Sequence, residues 1–287
     1  MRSLSLITCS LIAALALALS GCGEEKSGLK TSGDSGSGFS GTLRLAGSST
    51  LAPLAVEIGK RFEKAHPEVR VEVQTGGSSR GIADARKGSV EVGMSSRDMK
   101  ESEKDGLKQW VVAMDGVCFL VHKSNPVKEL TREQLVGIYM GKIKSWSEVG
   151  GHDAEIVCIN RADGRSELEL VTSFFGIKPV DIHADLVAGE NQQGIKMVAT
   201  DKNAITYMSV GASEYEANAG TEIALLPLDG IASSVANVTN GTYPLSRPLL
   251  YITVSEPTKM TQAFIDFSQS KDVHDLVEEF SYVPIQN

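Results

Sequence analysis

Three short loops gather the side chains of this chain best suited to holding a small oxyanion. They are Ala46-Gly47-Ser48-Ser49-Thr50, Thr75-Gly76-Gly77-Ser78-Ser79 and Met94-Ser95-Ser96-Arg97-Asp98. Hydroxyls donate hydrogen bonds with little bulk, and glycine lets backbone N–H groups approach a ligand closely. A fourth stretch, Arg161-Ala162-Asp163-Gly164-Arg165-Ser166-Glu167, adds two guanidinium groups at the start of a helical pattern. The helix dipole disfavours cations there unless an anion joins them, and guanidinium is the group that pairs two oxygens at once. The competing reading is helix capping, with Ser49 or Thr50 serving the helix that carries Pro53. Three such loops in register favour a binding edge.

The elements that position these loops follow from periodicity. Leu43 and Leu45, then Val69, Val71 and Val73, then Val90 and Val92 mark three strands, each running into one loop. Leu51, Leu54, Ala55, Ile58, Phe62 and Ala65 share one face of a helix over 51–65, and a shorter helix is expected over 81–87. Strand, helix, strand, helix, strand with short turns predicts a mainly parallel sheet whose carboxyl-end loops meet at one edge. Further strands are expected over 110–114, 117–122, 156–160, 205–208, 223–228 and 249–254. Thr131 and Gln134 have capping-box spacing, and helices are expected after Ser166, over 192–200 and twice near the C-terminus.

The chain has 287 residues, 41% of them hydrophobic, enough for one large domain or two modest lobes. Its 28 basic and 36 acidic residues give a formal charge of −8, so a basic nucleic-acid surface is excluded as a reading. Leu4 to Leu19 is an apolar run too short for a membrane span, ending in Leu19-Ser20-Gly21-Cys22, which resembles a bacterial lipobox. The expectation is a lipoprotein signal peptide over 1–21, lipidation of Cys22 and a flexible linker over 22–41. The folded part would then be anchored outside the cytoplasm on a bacterial membrane, in the periplasm or at the cell surface. Cys118 and Cys158 remain, each in a strand-like run. They form a disulfide or are two buried thiols, and both readings stay open. No spacing of His, Cys, Asp or Glu nominates a metal site, and no cofactor is implied.

In its ordered set of motifs the chain resembles the phosphate-binding lipoproteins of bacterial phosphate ABC transporters, the PstS family. The resemblance runs from about Leu43 to Pro284. It rests on Gly47–Pro53, Gly76–Ile82, Gly93–Arg97, Leu130–Gly151, Arg161–Gly164, Tyr243–Pro248 (YPLSRP) and Tyr282–Pro284. It implies an α/β, type II periplasmic-binding-protein fold, two α/β lobes with mainly parallel sheets joined by two crossing hinge strands. Lobe 1 would comprise 42–118 plus 248–287 and lobe 2 119–247, with Val117–His122 and Leu249–Val254 crossing between them. Phosphate would bind between the lobes, with Ser49, Thr50, Ser78, Ser96, Arg161, Arg165 and Ser166 as ligand-binding residues. The implied partners are inorganic phosphate and the transmembrane subunits of an ABC permease, with the binding protein a monomer.

Two departures from the family pattern bear on the site. Ser96 stands where many members carry an Asp that accepts the phosphate proton, which makes Asp98 or Glu167 the candidate acceptor. The usual Arg-x-x-Gly-Ser-Gly-Thr ends here in Arg165-Ser166-Glu167, and a glutamate near a dianion would repel it unless it pairs with Arg165 or accepts the ligand proton. Two other functions compete with phosphate delivery. One is an anion sensor or scavenger of the same fold. The other is a serine hydrolase, because Gly77-Ser78-Ser79-Arg80-Gly81 fits G-x-S-x-G, with Ser79 as nucleophile and His274 later in the chain.

Overall fold

A computed structural model describes residues 38–285. The expected signal peptide, the lipidated Cys22 and the linker as far as residue 37 lie outside the described residues.

The first five elements follow the apolar periodicity closely. Strand β1 (Gly41–Gly47) is followed by α1 (Ala52–Ala65), β2 (Val69–Thr75), α2 (Ser78–Arg86) and β3 (Val92–Ser95). Helix α1 buries Leu54, Ala55, Ile58 and Phe62 on its predicted face. Helix α2 starts three residues before its predicted start. Gly77, at φ +92°, turns the chain so sharply that Ser78 and Ser79 already form the first helical turn.

One long strand, β4 (Leu107–His122), replaces the two expected over 110–114 and 117–122. Then come α3 (Arg132–Tyr139), β5 (Val157–Arg161), α4 (Ser166–Phe175) and the short β6 (Leu186–Ala188). The predicted capping box holds: Thr131 Oγ1 accepts from Gln134 N, and Gln134 Oε1 accepts from Thr131 N. Next are α5 (Asn191–Thr200), β7 (Ala204–Ser209), α6 (Val210–Asn218), β8 (Ile223–Leu226) and α7 (Val235–Thr239). The chain closes with β9 (Ser246–Val254), α8 (Lys259–Ser268), α9 (His274–Glu279) and β10 (Val283–Pro284).

The strands lie in the order β2-β1-β3-β9-β4-β7-β5-β6, with β8 and β10 also on β4. Pairing is parallel between β1 and β2, β1 and β3, β5 and β6, and β5 and β7. It is antiparallel wherever β4 or β9 takes part. The parallel character therefore belongs to the flanks, where helical crossovers join the strands. β4 and β9 run counter to them through the middle. Up to Gly116, β4 pairs with β9; from Val117 it pairs with β7.

Two large hydrophobic cores meet at that change of partner. One draws on Leu43 to Ala113 and Leu249 to Tyr282, and the other on Val117 to Leu245. Alternation along β9 shows why the first half is layered. Leu249 and Tyr251 face α1, α8 and α9, while Leu250 and Ile252 face Ile82 and Ala85 of α2 in a smaller cluster.

Cys118 and Cys158 are free and buried. Cys118 lies opposite Met208 and Cys158 beside Ile205, so β7 runs between them. Two strand spacings, about 9.6 Å, exceed the roughly 7 Å that a disulfide can span between Cα atoms. Burial pushes both thiols up to about 12. No helix among the described residues is long and apolar enough to cross a membrane.

Candidate anion-binding site

The loop after β1 is shaped by Gly47, at φ +138°, where a Cβ would run into the Met94 carbonyl. Ser48 N instead donates to Met94 O at 2.9 Å, which ties this loop to the end of β3. Three buried hydroxyls then meet. Ser48 and Ser96 are hydrogen-bonded through their Oγ atoms, and Ser96 N donates to Ser78 Oγ at 3.0 Å. Neither Ser49 nor Thr50 caps α1. Its N-cap is Leu51, whose N–H donates to Ser48 Oγ at 3.2 Å. The Thr50 hydroxyl is left for another role.

That role is in a charged network at the junction of the two cores. Asp115 on β4 and Arg247 on β9 are cross-strand partners, with Arg247 Nη2 2.9 Å from Asp115 Oδ2. Arg247 Nη1 donates to Ser166 Oγ at 2.9 Å, and Nη2 also reaches Thr50 Oγ1 at 3.2 Å and Glu167 Oε1 at 2.9 Å. Thr50 Oγ1 donates to Glu167 Oε1 at 3.0 Å and accepts from Asn191 Nδ2 at 2.9 Å. Arg161, at the end of β5, places Nη2 3.4 Å from Glu167 Oε2 and donates through Nη1 to Ala188 O at 3.3 Å. Arg161, Arg247, Asp115 and Glu167 are all at most 2% exposed, and their two positive and two negative charges balance.

Burial alone would push the Glu167 carboxyl upward. Arg247 and Arg161 overcome that and hold it well below the usual carboxylate range. Burial likewise works against the Arg247 charge, and Glu167 and Asp115 more than offset it. Three buried polar atoms at the site have no partner: Arg161 Nε, Arg165 Nη1 and Asn191 Oδ1. Buried groups of this kind are uncommon and point to a ligand or water that they could meet.

The predicted residues thus fall into three groups. Thr50, Arg161 and Ser166 converge on Glu167 and Arg247. Ser78 and Ser96 sit in the adjoining hydroxyl cluster. Ser49 and Arg165 lie on the rim. Ser49 lines a cleft of about 370 Å³ with Thr50, Pro53, Thr75, Asn191 and Tyr282. Arg165 does not pair with Glu167, as the sequence had left open; its Nη2 meets Glu190 Oε1 at 3.0 Å. Asp98, one of the two candidate acceptors, is exposed and accepts from Gln109, so of the two only Glu167 lies at the site. A larger cleft of about 560 Å³ opens beside Lys144, Glu155, His183 and Asp185, but no buried guanidinium or hydroxyl lines it.

Ser79 has other partners. Its Oγ donates to Glu169 Oε1 at 2.9 Å and accepts from Arg97 Nη2 at 3.2 Å. Its hydroxyl thus faces a carboxylate and a guanidinium, not the imidazole of a Ser-His-Asp triad. His274 instead starts α9, which packs on α1.

Sequence reasoning missed Arg247, Asp115 and Asn191. Arg247 was within reach, because it is the charged residue of YPLSRP immediately before an apolar strand.

Comparison with known proteins gives a consistent set of relatives. The PBP superfamily domain is matched over residues 32–272. A Clostridium perfringens structure, described as a phosphate ABC transporter substrate-binding protein with bound phosphate, is 32% identical. It covers 86% of this chain and all of its own, with a TM-score of 0.79. An ABC-type phosphate transport receptor from Vibrio cholerae is 30% identical over 85% of this chain and 100% of its own, with a TM-score of 0.71. The phosphate-binding protein PstS of Bacillus subtilis is 28% identical, covering 99% of this chain and 95% of its own length.

Proposed function

The chain belongs to the PBP superfamily and, within it, to the PstS family, and from that premise we propose that it captures inorganic phosphate outside the cytoplasm and delivers it to an ABC permease. One observation carries the reading. Two fully buried guanidinium groups and the Thr50 hydroxyl, drawn from β5, β9 and the loop after β1, converge on the Glu167 carboxylate, with Ser166 beside them on Arg247. Desolvated donors fixed in this way suit a small tetrahedral oxyanion, and no covalent chemistry is asked of them.

In this reading Thr50, Arg161 and Ser166 hold the phosphate directly. Ser78 and Ser96 fix the loops that close over it, and Ser49 and Arg165 guard its rim. The lobes are 42–118 plus 248–287 and 119–247; the two hydrophobic cores support such a division, parting between Ala113 and Val117 and between Leu245 and Leu249. β4 and β9 would flex between them as phosphate enters. Cys22 would carry the lipid that keeps the protein beside its permease.

The test is calorimetric titration of the ligand-stripped protein with phosphate and then sulfate. Phosphate is expected to bind and sulfate to give no heat, since only phosphate carries a proton for an acceptor in the site. Arg161→Ala should weaken phosphate binding by about 1.5–3 kcal/mol, the scale of a lost charge-assisted hydrogen bond. Undiminished binding by that variant would remove Arg161 from the site.

A further inference from the structure

The Glu167 carboxylate occupies an unusual position for a structural ion pair. It accepts from Thr50 Oγ1 at 3.0 Å, from Arg247 Nη2 at 2.9 Å and lies 3.4 Å from Arg161 Nη2. These donors come from three separate segments; Thr50 and Arg161 are assigned above to the phosphate, and Arg247 is the second guanidinium that converges there. We propose that Glu167 is a tethered competitor of the ligand: its carboxylate occupies the oxyanion position, and phosphate binds by displacing it. This rests on the phosphate reading of the same site.

Two features favour displacement over a fixed wall beside which phosphate would sit. The first is charge. Arg161 and Arg247 are already matched by Asp115 and Glu167, so an added anion meets a neutral network unless one carboxylate leaves. Asp115 is anchored from both sides, by Arg247 and by Gly211 N at 3.0 Å. Glu167 hangs on a flexible side chain at the first turn of α4. The second is the unspent hydrogen-bonding capacity. A carboxylate offers two oxygens, and it leaves Arg161 Nε without an acceptor and Asn191 Oδ1 without a donor, both buried. A singly protonated phosphate offers three acceptor oxygens and one O–H, the complement of what Glu167 leaves open.

A tethered anion has two consequences. It keeps the buried arginines paired when phosphate is scarce, and it sets the affinity below what the donors could otherwise reach. Phosphate titrations of the wild-type protein, Glu167→Gln and Glu167→Thr, with melting curves in the absence and presence of phosphate, test this. Both variants are expected to bind phosphate roughly tenfold or more tightly than the wild type. They should melt lower without phosphate and gain more from it. Equal or weaker binding by both variants, with the wild type binding normally, would overturn the tethered-competitor proposal alone. Absence of phosphate binding in all three proteins, each melting cooperatively, would overturn the phosphate reading and the proposal with it. A structure of the unaltered protein with phosphate gives an independent measure. Phosphate oxygens should replace the carboxylate on Thr50 and Arg247, and a carboxylate still held by both would overturn the proposal.

Discussion

At Glu167 two large effects oppose each other. Taking a carboxylate out of water costs several kcal/mol, and two guanidinium groups with a hydroxyl return more than that. The balance carries a pH signature. The folded carboxyl lies below its ordinary value of 4.5, so its stabilisation is fully present above that pH and is lost as pH falls toward the folded value. Glu103 and Glu91, held down by Arg97 and Arg44, add smaller shares in the same window because they are partly exposed. Stability measured by denaturant should therefore hold level from neutrality to about pH 5 and fall below it. The acid limb should be shallower in Glu167→Gln, and an identical limb in both proteins would mean that Glu167 is not ionised in the fold. The same residue marks the limit of sequence reading. The hydroxyl loops were legible because each follows an apolar strand at a glycine. Asp115 was not, since it is a single acid inside a long apolar strand, and the YPLSRP motif that carries Arg247 does not reveal its partner. Only the register of β4 on β9 brings them together across 132 residues.

At the scale of elements, the strand–helix alternation predicted β1 to β3 well, because local periodicity and tertiary burial agree there. It gave no warning that β4 is one continuous strand, since Asp115 and Gly116 interrupt the apolar pattern where the strand changes partners. It also misplaced the start of α2, where Gly77 bends the chain into the helix. Gly77 has a second duty. A Cβ there would stand 2.6 Å from Gly164 O, on the loop that leads to Arg165 and Ser166, and Ser79 N already donates to that carbonyl. Gly77→Ala should thus hold the two loops apart while straining its own backbone. Gly88 separates the two effects, because it has φ +67° but nothing within 4 Å of its Cβ position. Each alanine is expected to lower stability by about 1–2 kcal/mol. Phosphate affinity should fall only in Gly77→Ala, and an equal fall in both would refer the loss to backbone strain.

For the whole molecule, the question is what holds the two halves together. Glu169 on α4 reaches across to Arg97 at 3.0 Å, to Lys100 at 2.7 Å and to the Ser79 hydroxyl, all on the segments that follow β2 and β3. On the two-lobe reading proposed above, this cluster is a latch. Glu169→Gln has two opposing effects on phosphate. Losing a negative charge near the site strengthens the attraction of an anion, while losing the latch favours the open form, which binds more weakly. Partly exposed ion pairs are worth up to about 1 kcal/mol each, and the field of one charge is screened beyond about 8–10 Å, so the latch should win. Affinity is expected to fall several-fold, and solution scattering without phosphate should report a larger radius of gyration. Glu103 supplies the control. It pairs with the same Arg97 at 2.7 Å, but from the segment after β3, so Glu103→Gln removes a charge without cutting a bond between the halves. If both substitutions strengthen binding, the field dominates and Glu169 is no latch; if only Glu169→Gln weakens it, the closure energy resides in that one carboxylate.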